Sequence, residues 1–169
     1  MYKSLRMAVA LVCFSGFLHF VIAEEGQQRQ RRAVRQPIGF SHKQHAEAGI
    51  KCSRCHRTAE TDERAGLPSA LNCAQCHDKD HSSPALMKKL DEVSGKDIPW
   101  VRVYDLPDFV FFSHEVHLRA KTDCRTCHGE VERRTALWKE KDISMKACIA
   151  CHKETRASTA CNYCHELNR

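Results

Sequence analysis

Hydrophobic positions are spread unevenly along the chain. Met7–Ala23 is a mostly apolar run headed by Lys3 and Arg6, with Val21-Ile22-Ala23 before Glu24. That order of basic head, apolar stretch and small cleavage-site residues predicts a secretory signal over residues 1–23. The run is near the lower limit for a membrane span and contains Gly16 and His19, so an uncleaved N-terminal anchor is the alternative reading. Cys13 lies inside this run and reads as one of its apolar residues. Residues 24–37 are Gln- and Arg-rich and lack hydrophobic periodicity, which predicts a flexible basic tail. Beyond it, Ser83–Val93 fits a helix with Pro84 in its first turn and Leu86, Met87 and Leu90 on one side. Asp97–Phe112 alternates weakly and is rich in Val, Trp, Tyr and Phe, which predicts a short extended segment.

Elsewhere the apolar pattern is too sparse for a conventional core, and cysteine and histidine supply the periodicity instead. Cys-x-x-Cys-His occurs at Cys52–His56, Cys73–His77, Cys124–His128, Cys148–His152 and Cys161–His165, using ten of the eleven cysteines. This is the attachment pattern for c-type haem. Cys52, Cys55, Cys73, Cys76, Cys124, Cys127, Cys148, Cys151, Cys161 and Cys164 would form thioethers to the vinyl groups. His56, His77, His128, His152 and His165 would bind the irons. Structural zinc needs motifs in pairs to complete four-coordinate sites, and five is odd. A disulfide framework gives no reason for a histidine after every second cysteine. Five covalent haems are therefore expected.

The expected haems change the meaning of length and charge. About 146 residues follow Ala23, or about 29 for each haem, too few for an independent core beside each porphyrin. The fold class predicted is mostly irregular chain with short α-helices and little β, wrapped around stacked haems. The formal charge of +6 is outweighed by haem propionates, which carry about two negative charges per haem. The basic composition is thus no argument for nucleic-acid binding, and part of the Lys and Arg is expected to neutralise propionates. Trp100 and the Phe109–Phe112 run read as aromatic packing against haem.

A duplication organises the body. Phe40-Ser41-His42-Lys43-Gln44-His45 precedes Cys52, and Phe112-Ser113-His114-Glu115-Val116-His117 precedes Cys124, at an offset of 72 residues. Residues 38–169 thus divide into two two-haem modules, about 40–81 and 112–152, and a fifth haem at 161–165. A spacing of three puts His42 and His45 on neighbouring faces of one helical turn, and likewise His114 and His117. These four are the candidate distal ligands, each pair reaching toward two different haems. For the fifth iron the candidates are Met145, three residues before Cys148, and His81.

The duplicated Phe-Ser-His-x-x-His units with clustered haem motifs resemble class III multihaem cytochromes c. The stretch from Ile98-Pro99-Trp100 through Phe112-Ser113-His114 to His152 also resembles the multihaem cytochrome subunit of alternative complex III and related menaquinone oxidoreductases. The resemblance implies bis-histidine coordination, closely packed haems and exchange of electrons with protein partners. It assigns His42 to the haem on Cys52 and Cys55, and His114 to that on Cys124 and Cys127. It also favours Met145, because Ser144–Cys148 resembles a segment that precedes a haem motif in quinol-linked subunits.

Two strong axial ligands leave an iron no place for substrate. The function expected is a periplasmic, non-catalytic electron carrier among redox proteins, or the cytochrome subunit of a quinone-linked membrane complex. Membrane contact would come only through that complex or an N-terminal anchor. The alternative is a multihaem reductase with one open catalytic haem; all five motifs here end in histidine, whereas pentahaem nitrite reductases mark their active haem with lysine.

Overall fold

The computed structural model describes residues 33–165. The expected signal at 1–23 and most of the expected tail lie outside them. The folded chain begins earlier than the tail's predicted end at 37. Val34 N–H donates to the Leu137 carbonyl at 2.8 Å, and Gln36 pairs through its side chain with both backbone groups of Val101.

Among the described residues, six short α-helices punctuate irregular chain: α1 His42–Glu47, α2 Ala70–Ala74, α3 Pro84–Glu92, α4 His114–Arg119, α5 Cys124–His128 and α6 Met145–Glu154. Single 3₁₀ turns cover Cys52–Arg54, Val131–Arg133 and Cys161–Tyr163. Among the described residues there is no sheet, only one antiparallel bridge between Val110 and His165. Asp97–Phe112 is therefore bends and irregular chain apart from Val110, because no second strand lies alongside to satisfy its backbone. Among the described residues no helix is long and apolar enough to cross a membrane.

Each helix starts where a short polar side chain takes an orphan N–H. Ser41, Ser83, Ser113 and Ser144 accept from Gln44, Leu86, Val116 and Ala147 at 3.2–3.4 Å, and Asp123 accepts from Arg125 at 2.8 Å. Ser69 and Asn72 form a reciprocal capping box at α2. The helix predicted at Ser83–Val93 is present, with Ser83 as its cap and Pro84 in its first turn.

The buried hydrophobics are few. Ile38, Ala70, Leu90 and Ile98 form one cluster, with Cys73, Leu86, Met87, Val93 and Trp100 packed against it. Trp100 is anchored by its indole N–H on the Pro68 carbonyl at 2.8 Å and edges against Phe40. Phe109 and Phe111, by contrast, are 66 % and 53 % exposed. So small a polypeptide core buries too little apolar surface to offset chain entropy alone, as expected when prosthetic groups complete the interior.

Candidate functional site

Each Cys-x-x-Cys-His motif is a single helical turn. In three of them the His N–H donates to the carbonyl of the first Cys at 2.9 Å; the other two lie within α5 and α6. The turn brings both thiols and the imidazole to one side. None of the ten cysteines is in a disulfide. Burial pushes the Cys55, Cys73, Cys124, Cys127 and Cys148 thiols up. Among the described residues no three Cys, His, Asp or Glu side chains converge on a point that could hold an ion.

The imidazoles are held in one common way. Nδ1 of His45 lies 2.8 Å from the Ser41 carbonyl, His56 2.8 Å from Gly66, His114 2.8 Å from Glu63, His117 2.7 Å from Ser113, His152 2.6 Å from Ser158, and His165 3.2 Å from Phe109. A carbonyl only accepts, so each Nδ1 carries the proton and each Nε2 keeps a lone pair for a metal. His77 is held by the Ser82 hydroxyl at 3.0 Å. Of the other expected ligands, His128 faces His114 and His42 packs edge-on to Phe40. Burial, with His56 and His45 nearby, brings His42 down to about 4; burial, with His114 and His56, lowers His128. Both are therefore neutral at pH 7, the form that ligates a metal.

Three pairs of rings face each other at a common separation. His45 and His77 have centroids 6.0 Å apart, His114 and His128 6.2 Å, and His117 and His152 6.0 Å. Two imidazoles on opposite faces of one iron stand about 6 Å apart, from two metal–nitrogen bonds of about 2 Å and about half a ring on each side. His42 lies near both His56 and His45, and the resemblance assigns it to the haem whose proximal ligand would be His56. His45, His114 and His117 thus each meet a motif histidine, and the two on α4 meet different ones. The donor set and its spacing fit a bis-imidazole haem.

The duplicated units fold alike, and their Phe and Ser have roles the sequence pattern left unexplained. Phe40 stacks on His45 at 4.4 Å and edges against His42 at 4.8 Å; Phe112 stacks on His117 at 4.6 Å and edges against His114 at 4.8 Å. The Ser hydroxyl caps the helix while its carbonyl orients the second histidine. Sequence reasoning also missed Tyr104. Its ring packs edge-on to His128 at 4.6 Å, and its hydroxyl donates to the His128 carbonyl while accepting from Glu140 N–H at 2.8 Å.

The fifth motif is tied to the chain by the Val110–His165 bridge and by Phe111 N–H on the Cys164 carbonyl at 2.8 Å. Of its two candidate ligands, Met145 stands exposed at the head of α6 beside Lys146, Ile149 and Lys153. His81 is exposed and held by Asp78 at 2.7 Å.

Residues 110–166 match the family model described as cytochrome c7 and related cytochrome c, and residues 19–97 match the class III cytochrome c family. The chain is also similar to the menaquinone reductase multiheme cytochrome c subunit of Nitratidesulfovibrio vulgaris, 34% identical, with 78% of this chain and 77% of that one covered. The chain belongs to the class III multihaem cytochromes c: it binds haem c covalently and transfers electrons.

Proposed function

We propose that this class III cytochrome is a pentahaem electron relay, exported to the periplasm, that serves as the cytochrome subunit of a quinone-linked membrane complex. The observation that carries the reading is the set of imidazole pairs about 6 Å apart, with Nδ1 of seven of the nine histidines from the motifs and duplicated pairs engaged by the chain's own oxygen atoms. The similarity to a subunit named for menaquinone reductase supports a membrane quinone partner. The apolar run at Met7–Ala23 supports export.

The chain's own residues perform four tasks. The ten motif cysteines tether the groups. His56, His77, His128, His152 and His165 are the proximal ligands. His42, His45, His114 and His117 close the distal faces, opposite His56, His77, His128 and His152 respectively. Met145, three residues before Cys148, is the proposed sixth ligand of the fifth site, on the resemblance of Ser144–Cys148 to a segment that precedes a haem motif in quinol-linked subunits; His81 is the alternative. Haem supplies one-electron redox chemistry, and two axial donors exclude substrate from the metal.

A pyridine haemochrome assay with protein quantitation on the purified holoprotein tests the stoichiometry. Five haems per chain are expected; two or three would overturn it.

A further inference from the structure

The five sites have an order in space that differs from their order in sequence. Within the first module, α1 carries His42 and His45 three residues apart, and the His45 ring stands 6.0 Å from that of His77 in the second motif. The Arg54 guanidinium, inside the first motif, donates to Gln75 inside the second at 2.6 Å. The first and second sites are therefore neighbours. Within the second module, α4 places His114 against His128 and His117 against His152, so the third and fourth are neighbours too.

The joint between modules is reciprocal. Lys43 N–H, at the start of α1, donates to the Arg134 carbonyl at 2.9 Å. Glu115 N–H, at the start of α4, donates to the Asp62 carbonyl at 3.1 Å. Lys43 and Glu115 are equivalent under the 72-residue offset, and so are Asp62 and Arg134. Each module thus offers its helix start to the same loop position of the other, which is the signature of a two-fold relation. The loop after His56 serves both sides: Gly66 holds His56 and Glu63 holds His114. The first and third sites meet there. At the far end, Ser158 orients His152 within the short link to Cys161, so the fifth site follows the fourth.

We infer that the five haem sites form one unbranched relay in the order second, first, third, fourth, fifth, with the first and third facing across an internal pseudo-two-fold axis. This rests on the reading that every motif carries a haem. The termini are the second and fifth sites. An external redox protein is oxidised by one electron at one terminus, and another is reduced by one electron at the other. The four-site core is symmetric, so the appended fifth site is what makes the two ends different.

Proton NMR of the holoprotein poised at successive oxidation stages tests the order, because through-space paramagnetic shifts fall steeply with distance. With the haem methyls assigned, those of the second haem should respond strongly to oxidation of the first and weakly to all others. Those of the third should respond to the first and fourth, and those of the fifth to the fourth alone. Five haems with a strong direct response between the second and the fourth or fifth would overturn the order and leave the haem reading standing. Fewer than five haems would overturn both.

Discussion

At the scale of single residues, the work of a haem-site histidine is divided between its two nitrogens. Nδ1 is spent on a carbonyl so that Nε2 points one way with its lone pair exposed. His114 shows the division: Glu63, far away in sequence, orients it, and His128 faces it at 6.2 Å in nearly parallel planes. Replacing His114 by Ala should convert one low-spin haem to high-spin or open coordination and leave the others low-spin. The electron paramagnetic resonance spectrum of the variant checks this, and an unchanged low-spin signal would remove His114 from the ligand set. His114 was legible as a ligand from its duplication. Its anchor was not, because any residue can offer a carbonyl and the loop that brings Glu63 is positioned only by the tertiary fold.

At the scale of elements, the repeated unit is a small machine in which Phe, Ser and two His each have a fixed task. Ser41 and Ser113 cap α1 and α4. Their replacement by Ala should each cost about 1 kcal/mol, read as a fall in thermal midpoint with haem content unchanged; a large effect at one site and none at the other would break the equivalence of the modules. A second element lies between α5 and α6. Arg134 donates twice to Glu140, at 2.5 and 3.1 Å, and lies over the Trp138 ring at 4.8 Å. The Arg134 hydrogen bonds hold the Glu140 carboxyl below its ordinary range, against the opposing effect of burial. A depressed folded-state pKa contributes stability that is present above the unfolded value of about 4.3 and disappears as pH falls through the folded pKa. Acid titration of thermal stability should therefore show Glu140→Gln less stable than wild type at neutral pH, with the gap closing below about pH 4. A constant gap would show that the ion pair contributes nothing.

At the scale of the whole molecule, the chain is a scaffold with little interior of its own. The expected short-helix, nearly sheetless architecture is what folds, because the sequence lacks apolar runs that alternate cleanly or recur at helical spacing outside α3. The five motifs and the two modules could be read locally, since each attachment site is one turn of contiguous residues. The pairing of His45 with His77 and of His117 with His152 could not, because it depends on how separate turns meet. Tyr104 was invisible for the same reason: nothing near it in sequence marks the His128 that it supports. The segment 97–112 forms no paired strand beyond Val110, because aromatic and β-branched residues are equally suited to lining a flat group as to a strand.

The central claim is that these imidazole pairs are the two faces of iron. Near-infrared magnetic circular dichroism of the oxidised holoprotein measures this most directly, since it separates bis-imidazole from imidazole–thioether iron. The account predicts four bis-imidazole haems per chain and one imidazole–thioether haem, whose band is abolished in Met145→Leu while the other four stay unchanged. Loss of the Met145 assignment alone would follow if the thioether band were absent. A spectrum with fewer than four bis-imidazole haems would contradict the account.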